Sequence, residues 1–233
     1  MNILITGASN GIGFETAKAL AALGSHKIIA VSRNYENLAR LAKVTAGAGE
    51  SEVIILPFDL ERENLSPVYD IAGKLGKIDI LINNAAILLN KPFLELSQAD
   101  WQNIFNINVF GAARLINVLF PQLCSSGVAH IVNISSMGGY QGSLKFPGLS
   151  AYSASKAAMA CLTECLAVEF AEHNIAVNCL ALGSVQTEML SKAFPEYKAP
   201  VTSEEMGKYI ADFSINGRKF FNGKVIPVAL TTP

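Results

Sequence analysis

Cysteine is scarce in this sequence, and charge of either sign is sparse. Four cysteines, Cys124, Cys161, Cys165 and Cys179, stand among 233 residues. They fall within apolar stretches and show neither metal-ligand nor disulfide-scaffold spacing. Buried, reduced thiols are expected, which suits a reducing, cytoplasmic setting and excludes a disulfide-stapled fold. Cys161 and Cys165 share a helix face, but two thiols without further ligands make a poor metal site; core packing is expected and no metal is called for. Charged residues are 16% of the chain, and a formal net charge of −1 with a pI near 6.3 leaves no basic footprint for nucleic acid or an anionic membrane. Long apolar runs are missing as well. Polar groups punctuate each hydrophobic stretch, so none is expected to match the roughly 20 residues of a membrane span. No leader is expected either, because a strand-like run starts at Asn2 and is needed by the turn after it. Repeats, low-complexity tracts and linkers are also lacking.

What is present is a chain 51% hydrophobic, enough for one large core, and a single domain over 1–233 is expected. Short β-rich apolar runs alternate with helical segments. Strands are expected near 2–6, 27–32, 52–58, 78–83, 128–135, 175–181 and 223–228. Helices are expected near 11–24, 35–46, 63–75, 97–125, 151–173 and 203–214. Runs apolar on both faces, such as Ile78 to Ile82 and His130 to Ile134, suit a parallel sheet covered on both sides. This alternation predicts an α/β, doubly wound (Rossmann-type), mostly parallel seven-stranded sheet with helices on both faces. In such a fold ligands sit beyond the carboxyl ends of the strands. The stretch 184–200 is the least regular, and it follows a strand end, where a substrate lid would be placed.

Two motifs point to chemistry. The first strand runs directly into Gly7-Ala8-Ser9-Asn10-Gly11-Ile12-Gly13 and then a helix. A glycine turn there lets the backbone approach a pyrophosphate, and the helix N-terminus offers free N–H groups and partial positive charge. The second motif is Tyr152-Ser-Ala-Ser-Lys156, with helix formers following it. On a helix the two side chains share a face. A tyrosine of pKa about 10 carries protons poorly at neutral pH, but a neighbouring ammonium favours the phenolate. A phenol tuned in this way could give a proton to a carbonyl oxygen or take one from an alcohol. Asp59, Asn83-Asn84-Ala85-Ala86, Ser135-Ser136 and Gly183 follow successive strands, so all would face one crevice. Alone, each reads as a cap, a turn residue or a polar strand exit.

Together, these ordered motifs resemble the short-chain dehydrogenase/reductase family over essentially the whole chain. Thr6-Gly7-x-x-x-Gly11-Ile12-Gly13 is similar to its cofactor turn, Asn83-Asn84-Ala85 to its fourth-strand motif, and Asn108 to the asparagine of its long helix. Ile131 to Ser136 resembles the strand bearing its serine, Tyr152-x-x-x-Lys156 its catalytic pair, and Asn222 to Val228 its last strand. The resemblance implies hydride transfer between a nicotinamide cofactor and a small carbonyl or alcohol substrate. Tyr152 would be the general acid or base, and Lys156 would lower its pKa and hold the nicotinamide ribose. Ser136 would bond the substrate oxygen as charge develops on it. Strand alternation aims Ser135 to the other face. Asn108 would position a water linking Lys156 to solvent. Gly7, Ser9, Asn10, Gly11, Ile12 and Gly13 would hold the pyrophosphate. Asp59 and Leu60 would flank the adenine, Asn84 its ribose, and Val185 and Thr187 the nicotinamide carboxamide.

Cofactor choice follows from the second strand, which ends Ala30-Val31-Ser32-Arg33 without the acid that would mark NAD. Arg33, twenty residues past Gly13, could clamp a 2′-phosphate, so NADP(H) is expected in preference to NAD(H). There are departures from the family pattern. Ser136 and Tyr152 are sixteen positions apart, about three more than usual, which lengthens the loop from Met137 to Ala151. Ala86 and Leu182 replace a glycine and a proline, and Ala229 to Pro233 lacks an Asp-Gly-Gly ending. A ketoacyl-thioester reductase, with Lys145, Lys192 and Lys198 as a basic entrance, is the alternative within the family; a non-catalytic nucleotide sensor or a scaffold stands outside it. Apolar positions beyond one stripe on the helices near 97–125 and 151–173 (Phe110, Leu115, Leu119, Ala158, Leu162, Leu166) predict a homodimer or homotetramer.

Overall fold

The computed structural model describes residues 1–47, 49–61 and 64–230. Seven strands form one sheet: β1 (Asn2–Thr6), β2 (Lys27–Ser32), β3 (Glu52–Pro57), β4 (Ile80–Asn83), β5 (His130–Ser136), β6 (Ala176–Leu182) and β9 (Val225–Val228). Their order is β3-β2-β1-β4-β5-β6-β9, and every neighbouring pair is parallel. The chain winds outward one way from β1 and returns to wind the other way from β4. The carboxyl ends of β1 and β4 therefore splay around a crevice, the usual ligand position in such sheets.

Strand alternation sorts the core into two layers. Ile3, Ile5, Ile28, Ile82 and Val132 face one side, where Phe14, Ala17 and Leu20 of α1 (Gly11–Ala22), Leu38 and Leu41 of α2 (Tyr35–Thr45) and Met206 and Ile210 of α8 (Ser203–Asn216) cover them. Leu4, Ile29, Leu81, Ile131 and Val177 face the other, against α3 (Ser66–Leu75), α5 (Gly111–Cys124) and α6 (Ser150–Glu169). The start expected for α3, near 63, lies outside the described residues, as do the last three residues of the chain.

The long helix expected over 97–125 is three pieces. α4 (Gln98–Phe105), capped by Ser97 and Asp100 in a reciprocal box, passes through a π turn at Asn106–Phe110 into α5. By length and composition the run Gln98–Cys124 could cross a membrane, which corrects the expectation that no stretch would. Its hydropathy has a use inside the fold. Leu115, Ile116, Leu119 and Leu123 are buried against the sheet. At roughly 1.5–3 kcal/mol each, they outweigh the ~3 kcal/mol cost of Pro121 inside the helix. That burial also removes Leu115 and Leu119 from any free face, and Ala158, Leu162 and Leu166 are partly packed on core clusters; of the six apolar positions, only Phe110 is exposed.

One further expectation is corrected. Cys179 is buried and Cys124 partly so, but Cys161 and Cys165 are exposed on the outer face of α6. The stretch after β6 carries short elements: β7 (Val185–Gln186) pairs with β8 (Val201–Thr202), and α7 (Glu188–Ala193) lies between them.

Candidate active site

The glycine turn forms one wall of the crevice, at the carboxyl end of β1. Gly7 and Gly11 have φ of 69° and 54°, and a Cβ on Gly13 would lie 2.3 Å from the Gly7 carbonyl oxygen. Only glycine fits that contact. Asn10 holds the N-cap position of α1 without capping it; its Oδ1 instead accepts from Asn37 Nδ2 at 2.9 Å. The first N–H groups of α1 thus have no side-chain acceptor, and its first turn carries no acid. This is a cradle for an anion such as a pyrophosphate, and the residues present fit a dinucleotide. Ser9 and Ser32 are joined by a 2.8 Å hydroxyl bond at the mouth, and Ile12 lines the same wall. Arg33 is exposed there, with neither hydrogen bond nor ion pair among the described residues.

At the end of β4, Asn84 Nδ2 donates to the carbonyls of Thr6 and Gly7 at 2.9 and 3.3 Å. The amide therefore braces the glycine turn, leaving Oδ1 as its side-chain atom for a ribose. Thr6 Oγ1 accepts from the N–H groups of Asn84 and Ala85, both at 3.0 Å. Asp59 and Leu60 line the crevice beyond β3; Leu60 is nearly buried, and its carbonyl accepts from Arg114 Nη2 at 2.8 Å. Val185 is buried in β7, and Thr187 caps α7 and lies against Gly11.

The reacting end is built by β5, α6 and the π turn. Ser135 turns inward, and its hydroxyl donates to the Lys156 carbonyl at 2.7 Å. Ser136 faces the cleft; its Oγ accepts from Gly138 N at 3.1 Å. Tyr152 and Lys156 share a face of α6, with Lys156 Nζ 5.8 Å from the phenol ring centre. The ammonium is anchored at 2.8 Å to the carbonyl of Ile134. Burial drives the Lys156 pKa down to about 8. Burial also raises the Tyr152 pKa, and the nearby Ser136 hydroxyl offsets this only in part. The expected lowering of Tyr152 by Lys156 is absent in this geometry, because desolvation of the phenolate dominates and the ammonium is held by a carbonyl. Asn108 is likewise committed. Its Oδ1 accepts from Ile87 N at 2.8 Å, and its Nδ2 donates to Ile87 O and Ser155 Oγ, both at 3.0 Å. The side chain thereby pins the β4 loop to α6, with one Oδ1 lone pair left over.

All the site residues expected from sequence except Asn108 line one cleft of about 930 Å³. Beyond Ser136 and Tyr152 its wall is mostly apolar, with Leu88, Met137, Phe146, Leu149, Met189 and Phe194, while the Glu188–Lys192 pair also lines it. Of the three lysines expected at its entrance, one is in its lining. Lys192 lines the cleft but pairs with Glu188 at 2.7 Å, Lys145 donates to Tyr140 O and Ser143 Oγ, and Lys198 is outside the lining. Sequence reasoning gave no role to Thr6, Asn37 or Ser155. Thr6 stands beside the glycine turn and could have been found; Asn37 and Ser155 act across folds of the chain and leave no local mark.

A sequence model described as short chain dehydrogenase matches residues 1–198. A bovine dehydrogenase/reductase SDR family member 4 is 35% identical over 189 residues, covering 79% of this chain and 65% of the relative. A 3-oxoacyl-[acyl-carrier-protein] reductase of Thermotoga maritima is 32% identical over 239 residues, 97% of this chain and 94% of its own. Among solved structures, a 3-ketoacyl-(acyl-carrier-protein) reductase from Brucella melitensis complexed with NADH superposes with TM-score 0.86 and 25% identity, over 98% and 96% of the two chains. L-sorbose reductase from Gluconobacter frateurii, complexed with NADPH and L-sorbose, gives TM-score 0.88 and 25% identity, over 99% and 95%.

Proposed function

The chain belongs to the short-chain dehydrogenase family, and from that premise we propose that it is an NADP(H)-dependent oxidoreductase interconverting a carbonyl and a secondary alcohol. The observation that carries the reading is the meeting of Ser136, Tyr152 and Lys156 in the cleft that the glycine turn opens. The bound nicotinamide supplies the hydride. The chain's own residues do the rest. Gly7, Gly11, Gly13 and the α1 N-terminus receive the pyrophosphate, while exposed Arg33 offers a 2′-phosphate its charge. Ser136 orients the carbonyl oxygen toward Tyr152. A phenol with a raised pKa is protonated at neutral pH, so Tyr152 is charged with a proton for carbonyl reduction. Lys156, near 8, keeps its ammonium at neutral pH and offers donors beside the phenol ring.

The apolar wall favours an uncharged carbonyl compound with apolar bulk. A ketoacyl thioester on an acidic carrier protein is the second reading, supported by the Thermotoga maritima relative; of the three lysines it would use, only Lys192 lines the cleft, and that one is paired with Glu188. One cofactor-binding domain, a lid over 184–200, and a reducing, cytoplasmic setting in keeping with four free cysteines complete the proposal. So does a homodimer or homotetramer, which light scattering at micromolar concentration should find; a monomer would contradict it. The activity itself is tested by following reduced-nicotinamide absorbance with ketones, aldehydes, sugars and ketoacyl thioesters. Turnover of an uncharged ketone or aldehyde, faster with NADPH, is expected. No turnover across the panel with either cofactor would favour the nucleotide-sensor alternative.

A further inference from the structure

Residues 187–200 of the lid bond mostly to themselves and to its base. Gln186 receives Ala199 N at 2.9 Å and donates to Ser191 at 3.0 Å, while Ser184 and Tyr197 share a 2.8 Å bond. Among the described residues, one hydrogen bond leaves this stretch for the chain outside 184–202. It runs from Asn90 Nδ2 to the carbonyl of Ala193, at 3.0 Å, where α7 ends. The other side of the Asn90 amide rests on the long loop. A Cβ on Gly148 would lie 2.0 Å from Asn90 Oδ1, and Lys91 N donates to the Gly148 carbonyl at 2.9 Å. Lys91 is itself fixed to Asp100 on α4 at 2.8 Å. Asn90 therefore stands where three segments meet, and Leu88, Leu149 and Phe194, close to the three anchor points, all line the cleft.

We propose that Asn90 is a positioning residue, a latch that holds the lid down over the substrate end of the cleft through the Ala193 carbonyl. The bond is solvent-exposed. Such bonds are weak enough to open during each substrate exchange, yet they shift a closed population by about two- to tenfold. Only a donor at this position serves. Asn90→Asp keeps the shape but sets a carboxylate against a carbonyl, and Asn90→Ala removes the group altogether.

Trypsin cleavage of the whole protein tests this without relying on turnover, since Lys192 and Lys198 lie in the lid and are exposed. Cleavage by way of a transiently opened state tracks its population. Both variants should be cut at these two lysines about two- to tenfold faster than wild type, with cleavage after the remote, exposed Lys74 unchanged. With a ketone found by the panel, KM should rise by a similar factor while kcat is held or increased and cofactor affinity stays put. Wild-type cleavage rates in Asn90→Asp, equal acceleration at Lys74, or faster lid cleavage with an unmoved KM would each overturn the latch. The KM arm rests on the oxidoreductase reading. If wild type turns over nothing, that reading fails by itself and the cleavage arm still decides the latch.

Discussion

The proposed preference for NADP(H) rests on the charge of Arg33. Arg33 stands exposed at the crevice mouth beside the linked Ser9 and Ser32 hydroxyls; among the described residues the carboxylates of that part of the lining, Asp59 and Glu61, come from beyond β3 and not from the end of β2. A charged hydrogen bond to a 2′-phosphate is worth roughly 1.5–3 kcal/mol, about a ten- to hundredfold preference. Arg33→Ala should raise KM for NADPH by that factor and leave NADH nearly unchanged. Ser32→Asp combined with Arg33→Ala should reverse the order, since a carboxylate accepts from a 2′-hydroxyl and repels a phosphate. Steady-state kcat/KM with both cofactors is the measurement. Equal losses for NADPH and NADH in Arg33→Ala would mean that the guanidinium only supports its loop.

At the scale of elements, the parallel sheet and most of its helices were legible, because continuous apolar strands and amphipathic helices carry their own periodicities. The breaks were not. The π turn at Asn106–Phe110 inserts one residue into a helix whose composition reads as uninterrupted, and it carries Asn108, whose Oδ1 accepts from Ile87 N across the fold. α7 and the β7–β8 pair are too short for periodicity and owe their order to contacts such as Gln186 with Ser191 and Ala199. The meeting of Ser136 with Tyr152 and Lys156 was legible, since Ser136 ends β5 and the four-residue spacing sets the other two on one face of α6. Their electrostatics were not. The order of desolvation over charge attraction at Tyr152 depends on how deeply the phenol is covered and where Lys156 Nζ is drawn, which spacing alone does not encode.

Across the whole molecule, stability is tied to pH through His130, fully buried on β5. Its Nδ1 lies 2.9 Å from the Ser214 carbonyl of α8, and its Nε2 lies 3.0 Å from Asn178 Nδ2 of β6. Those partners fit a neutral ring that donates from Nδ1 and accepts at Nε2. Burial lowers its pKa to about 4 from 6.5. The unfolded chain thus binds this proton first, so stability is full above about pH 6.5 and falls as pH drops toward 4. Between about pH 7 and 5 the loss should be roughly 1–2 kcal/mol. Urea midpoints should show it, and His130→Gln should flatten that slope even if it lowers stability overall. An unchanged slope would move the acid sensitivity elsewhere; part-buried His26, whose pKa is lowered by burial, acts in the same direction.

The central claim is that Tyr152 passes the proton. Tyr152→Phe keeps the ring against Lys156 and removes the hydroxyl beside Ser136. The decisive measurement is kcat for reduction of the best carbonyl substrate, taken together with cofactor affinity by fluorescence titration. The account predicts a loss of at least about 10²-fold in kcat with cofactor binding nearly intact, as expected for a general acid. A loss of tenfold or less, with the cofactor still bound, would contradict it.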